Sequence, residues 1–148
     1  GDQFMHGMQL SVICAEDADL LKADPGDTDT VLGSLLGDTL KAQCGAWPTG
    51  KRPADFHTAW TSDIPTLITS GELDPVTPPR YGEQVLKTLS AGRHLTLKGQ
   101  GHGTFAVGCM PKLLGRFLET ANAKDLDAKC LDSLDYVPPF TSFNGWEP

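Results

Sequence analysis

Two residues suited to acid–base chemistry occur in loops of similar design. Asp74 lies in Gly71-Glu72-Leu73-Asp74-Pro75-Val76-Thr77-Pro78, directly after an apolar, β-branched run. His102 lies in Gly99-Gln100-Gly101-His102-Gly103, after a second run in which polar and apolar residues alternate. The two are 28 residues apart. A carboxylate bound to one imidazole nitrogen fixes the tautomer and stabilises the imidazolium formed when the other nitrogen takes a proton. Glycines on both sides of His102 let the backbone bend sharply and keep the ring accessible. Alone, Asp74 reads as a turn aspartate before a proline and His102 as a surface histidine. Placed at two strand ends, they are the parts of a general base and the acid that orients it. His94 falls inside a strand and reads as structural, while His6 and His57 belong to no such constellation.

The elements that must position this pair are legible in outline. Residues 64–70, Ile-Pro-Thr-Leu-Ile-Thr-Ser, form a short run bounded by Asp63 and Gly71, which predicts a buried strand. Thr77-Pro78-Pro79 opens a helix with Tyr81, Val85, Leu86 and Leu89 on one face and Gly92 at its end. Residues 93–98 alternate as a second strand, and Pro111 opens a helix striped by Leu113, Leu114, Phe117, Leu118 and Ala121. Strand, helix, strand, helix predicts an α/β fold with parallel strands and crossover helices, in which functional groups sit beyond the carboxyl ends of the strands. Two strands leave such a sheet incomplete.

Upstream, Val31, Leu32, Leu35, Leu36 and Leu40 predict a helix that begins at an Asp29 N-cap and stops at Gly45. Pro48, Gly50 and Pro53 then mark a connecting segment up to Ser62. Residues 1–62 are therefore read as a helical, cap-like and connecting segment, and residues 63–148 as the core part. The tail from Val137 has too little periodicity to assign.

The chain has 148 residues and a formal net charge of −7, from 12 Lys and Arg against 19 Asp and Glu. That length supports one core, and the charge argues against nucleic acid and anionic membrane surfaces as partners. No apolar stretch approaches the ~20 residues needed to span a bilayer. The chain opens Gly-Asp-Gln-Phe, with no initiator Met and no basic-then-apolar segment, so a signal peptide is read as missing or removed. Cys14, Cys44, Cys109 and Cys130 include no Cys-x-x-Cys pair, which argues against a zinc site and for disulfides in an oxidising compartment. Four cysteines allow three pairings.

The stretch from Ile64 to Pro78, followed by Gly99 to Gly103, resembles the end of an α/β-hydrolase, in which chain order is Ser, then Asp or Glu, then His. The flanking Cys14-Ala15-Glu16-Asp17 and Gly108-Cys109 are similar to the tripeptidyl aminopeptidase-like branch of secreted bacterial serine exopeptidases, over roughly residues 8 to 140. The resemblance implies that Asp74 is the triad acid and His102 the base, and that Cys14 pairs with Cys44 and Cys109 with Cys130. It also implies that Glu16 or Asp17 binds a substrate's free amino terminus. Without the family, those two carboxylates read as the start of a short helix.

The nucleophile is the departure. No serine here stands in Gly-x-Ser-x-Gly: Gly33 directly precedes Ser34, and Gly71 directly follows Ser70. The resemblance therefore implies the C-terminal part of a longer secreted or periplasmic serine hydrolase, inactive alone and partnered by the N-terminal half that carries the serine. The expected substrate is a peptide, with esters as the alternative class, and neither metal nor organic cofactor is implied. The rival expectations are a non-catalytic module that binds a peptide or a subunit, and a homodimer that pairs the open edges of the incomplete sheet.

Overall fold

The computed structural model describes residues 5–137. Residues 138–148, which the sequence leaves unassigned, lie outside it. The chain divides into two compact units, Gly1–Thr58 and Ala59–Pro148. Ser62 belongs to the second unit and not to the connecting segment. Its backbone N–H donates to the Thr88 carbonyl and its carbonyl accepts from the Ser90 N–H, both at 3.0 Å, around a parallel bridge to Leu89.

The first unit holds helix α1 (His6–Glu16), a 3-10 turn (Pro25–Asp29) and helix α2 (Leu35–Ala46). The helix expected from an Asp29 N-cap starts five residues later, with Ser34 at that position, because local hydrogen bonds claim the intervening chain. The Asp24 carboxylate accepts from the Gly26 N–H at 2.8 Å, Pro25 opens the turn, and Gly33 takes a left-handed φ of +50° that no helix continues through. Val31 and Leu32, placed on the helical stripe by their spacing, are instead solvent-exposed. Among the described residues of this unit only Cys14 is buried, and it is bonded to Cys44 with an S–S distance of 2.03 Å. The Trp47 indole N–H adds a hydrogen bond to the Ser11 hydroxyl at 3.2 Å. Glu16 and Asp17 stand at the end of α1, not at the start of a helix. A cation sits there, as the carbonyl end of a helix dipole favours. The Arg52 guanidinium donates to the Glu16 carbonyl and grips the Asp19 carboxylate at 2.8 and 2.7 Å, and His57 Nε2 lies 3.0 Å from the same carbonyl. The Arg52 hydrogen bond holds the Asp19 carboxyl down to about 2.

The second unit runs β1 (Thr66–Gly71), α3 (Pro79–Leu86), β2 (Gly92–Leu97) and α4 (Met110–Thr120), then a 3-10 turn (Lys129–Ser133). β1 and β2 are adjacent and parallel, in register from Thr66 opposite Gly92 to Gly71 opposite Leu97, and α3 is the crossover. Both strands therefore end at the same edge, which is where the loops of interest begin. The alternation in β2 sends Leu95 and Leu97 to one face, where they pack with Met110 and Leu113 of α4 and with Leu131; Leu97 and Met110 are fully buried. A disulfide from Cys109 to Cys130, 2.01 Å between sulfurs, fastens the start of α4 to the 3-10 turn. Arg93 donates to the carbonyls of Ala123, Lys124 and Leu126, fixing the connection between them.

β1 is less buried than its composition predicts. Ile64 lies outside the strand and is exposed, and burial is reached only at Ser70 and Gly71. The reason is topological: among the described residues β1 has a neighbour on one side only, so its apolar content outruns its cover. Tyr81 and Val85 of α3 and Leu118 of α4 are likewise apolar positions left in solvent.

Candidate active site

Asp74 and His102 meet. The loops that carry them leave the same edge of the sheet, and their backbones touch. The Glu72 N–H donates to the Leu97 carbonyl at 3.0 Å and the Leu73 N–H to the Gln100 carbonyl at 2.8 Å. A side chain at Gly71 would place its first carbon 2.1 Å from the Gly101 carbonyl oxygen, closer than any real contact. Only glycine lets the two loops approach this far.

Within that frame His102 Nδ1 lies 2.9 Å from Asp74 Oδ2. The carboxylate is buried and the imidazole is not, with side-chain exposures of 4% and 61%. Asp74 Oδ1 accepts from the backbone N–H groups of Val76 and Thr77 at 2.9 and 3.0 Å, and Oδ2 accepts from the Thr77 hydroxyl at 2.8 Å. Burial pushes the Asp74 carboxyl up, but the Thr77 amide, His102, the Val76 amide and the Thr77 hydroxyl together outweigh it and hold the group well below the usual carboxylate range. Asp74 is thus a fixed negative charge at neutral pH. It engages Nδ1, which leaves Nε2 as the nitrogen that can take a proton.

Thr77 is a site residue that the sequence reading passed over. Its signal was present in the Asp-Pro-Val-Thr run, where an aspartate side chain accepts from amides two and three residues on and a threonine hydroxyl closes the turn. The Thr77 hydroxyl also lies 3.4 Å from His102 Nδ1. Thr77→Ala is expected to move the Asp74 titration up toward the ordinary range, as followed by carboxyl-carbon NMR. The sign follows from linkage. A depressed carboxyl stabilises the fold above its unfolded pKa and loses that stabilisation as pH falls through its folded value, so the variant loses stability at a higher pH than the parent chain. Coincident acid-unfolding curves for parent and variant would show that the hydroxyl contributes nothing.

The remaining residues singled out by sequence sit elsewhere. Glu16 belongs to the first unit, and its carboxylate makes no hydrogen bond or ion pair among the described residues, whereas its carbonyl is capped by Arg52 and His57. His94 is held between β2 and α3, 2.9 Å from the Ser70 hydroxyl, and burial lowers its pKa. Among the described residues no His, Cys, Asp and Glu group has the arrangement of a metal site, and no helix is long and apolar enough to cross a membrane.

The comparisons with known proteins extend this picture. A family model described as TAP-like protein matches residues 30–130. The chain belongs to the TAP-like family, as a C-terminal part of an α/β-hydrolase. Curated relatives include pimeloyl-(acyl-carrier protein) methyl ester esterases of Neisseria meningitidis serogroups B and A. They are 30% identical over 86 residues, covering 53% of this chain and 33% and 27% of theirs. The chain spans about a third of the length of these curated relatives. No solved structure matches it. In this TAP-like chain the acid and the histidine both lie within the matched residues.

Proposed function

We propose that this chain supplies the acid and base of a secreted or periplasmic serine hydrolase whose nucleophile lies on the N-terminal half of the same enzyme. The observation that carries the reading is the 2.9 Å contact between a buried, hydrogen-bonded Asp74 and an exposed His102. In the complete site His102 Nε2 takes the serine proton as the hydroxyl attacks an acyl carbon. The imidazolium then returns that proton to the leaving group, and Asp74 keeps the ring in the tautomer that allows both steps. The substrate is a peptide cleaved near its amino terminus. The two disulfides support an extracytoplasmic setting. Esters are the second reading, favoured by the methyl ester esterases among the relatives.

Intact-mass spectrometry after treatment with a fluorophosphonate, which labels an activated serine, tests the proposal. The purified chain alone is expected to stay unlabelled at 15.9 kDa, and the complete hydrolase to gain one label on a serine outside this segment. Labelling of the isolated chain, or none of the complete protein, would overturn it. Unlabelled complete protein that binds peptides would instead favour a non-catalytic module. Aminoacyl anilides and short acyl esters, compared on the labelled enzyme, separate the two substrate classes. Light scattering tests the further proposal that the open edge of β1 pairs copies into a dimer; a monodisperse 15.9 kDa particle excludes it.

A further inference from the structure

A carboxylate that no motif singles out links the acid-bearing turn to the histidine-bearing loop. Glu72 stands two residues before Asp74. Its Oε2 accepts from the Gly99 N–H at 2.9 Å, and its Oε1 accepts from the Tyr136 hydroxyl at 2.8 Å. Gly99 opens the histidine loop with φ +67°, and a side chain there would meet the Asp135 carbonyl oxygen at 2.8 Å, so the loop and residues 135–136 are in backbone contact. Lys98 tightens the same junction. Its ammonium pairs with Asp135 at 2.9 Å and lies 5.3 Å from the centre of the Tyr136 ring. At the far end of the loop, buried Thr104 shares a hydrogen bond of 2.7 Å with Thr69 of β1.

Between these two anchors the Leu73 N–H donates to the Gln100 carbonyl at 2.8 Å, and glycines then bracket the histidine. Gly101 and Gly103 flank His102, Gly103 has φ +110°, and the described contacts of the ring are to Asp74 and Thr77. The two glycines leave the backbone around His102 conformational freedom that fixing the ends of the loop reduces. We propose that Glu72 is a positioning residue, which through Gly99 and Tyr136 holds the His102 loop where Nδ1 meets Asp74. The proposal rests on the reading of Asp74 and His102 as acid and base. The Gly99 amide and then the Tyr136 hydroxyl hold the Glu72 carboxyl below its usual range, so the bridge carries its charge at neutral pH.

The test is NMR on this chain, reading the downfield proton on His102 Nδ1 and the hydrogen exchange of the backbone amides at 99–104, with the β2 amides as an internal reference. Glu72→Ala is expected to broaden or abolish the Nδ1 proton signal and to speed loop exchange by about tenfold or more while β2 keeps its protection. Glu72→Gln keeps an acceptor for Gly99 and should restore most of both signals. Tyr136→Phe should show a smaller loss confined to the loop, and it decides the matter if Glu72→Ala fails to fold. Unchanged signals in Glu72→Ala, or in Tyr136→Phe where that variant decides, overturn the positioning role if Asp74→Asn abolishes the same proton. An Nδ1 proton that survives Asp74→Asn overturns the acid–base reading itself, and the proposal with it.

Discussion

In the serine hydrolase proposed above, His102→Ala should lower turnover by on the order of 10⁶-fold, because without the proposed base the nucleophile is an ordinary alcohol. The fold should not notice. The ring is mostly exposed, so its removal opens no cavity, and the melting temperature is expected to stay within about a degree or two of the parent. Asp74→Asn is the more informative partner. Its amide oxygen can still accept from the Val76 and Thr77 amides, which turns its NH₂ group toward the Thr77 hydroxyl and His102 Nδ1. That donor favours the tautomer with the proton on Nε2, so the nitrogen that should accept from serine is already occupied, and a loss on the order of 10⁴-fold is expected. Steady-state kcat for the three proteins on one substrate checks both. Undiminished kcat in His102→Ala would end the triad assignment.

The largest stability effect is expected in the first unit. α1 and α2 have 11 and 12 residues, lengths at which isolated helices are marginal in water, and the only buried side chain described in the unit is one half of its disulfide. Closing a loop across 30 positions contributes roughly 3 to 4 kcal/mol in the chain-entropy account, comparable with the whole stability of so small a unit. Cys14→Ser combined with Cys44→Ser should therefore melt α1 and α2 while β1, β2 and α4 persist. Hydrogen exchange distinguishes this from general unfolding: amides at 9–16 and 39–46 lose protection and those at 93–97 keep it. Full protection of both helices in the double variant would show that other contacts hold them.

The parts of the fold that could be read from sequence are those where one local signal had no competitor. β2 alternates, Pro111 opens α4, and Leu113 is buried where its stripe puts it. Apolar spacing by itself is not sufficient. Val31 and Leu32 fit a helical period, yet the Asp24-Pro25-Gly26 turn and the left-handed Gly33 claimed that chain first. α1 went unassigned because its apolar residues surround the helix instead of lining one side. For the site, Asp74 and His102 stood out by residue type and by loop setting. Thr77 and Glu72 did not, because a threonine or glutamate in a turn is ordinary until its partners are known. The partners of Glu72 are 27 and 64 residues away.

The bare backbone contact at Gly71 sets the spacing between the loops that carry Asp74 and His102. No side chain lies between the Gly71 backbone and the carbonyls of Gln100 and Gly101, so the thickness of two peptide planes fixes how far apart the loops run. Substitutions at most loop positions leave that thickness unchanged, whereas one inserted or deleted residue in either loop shifts it for both. Homologues of this hydrolase should therefore keep glycine at position 71, and changes in the length of one loop should be accompanied by changes in the other.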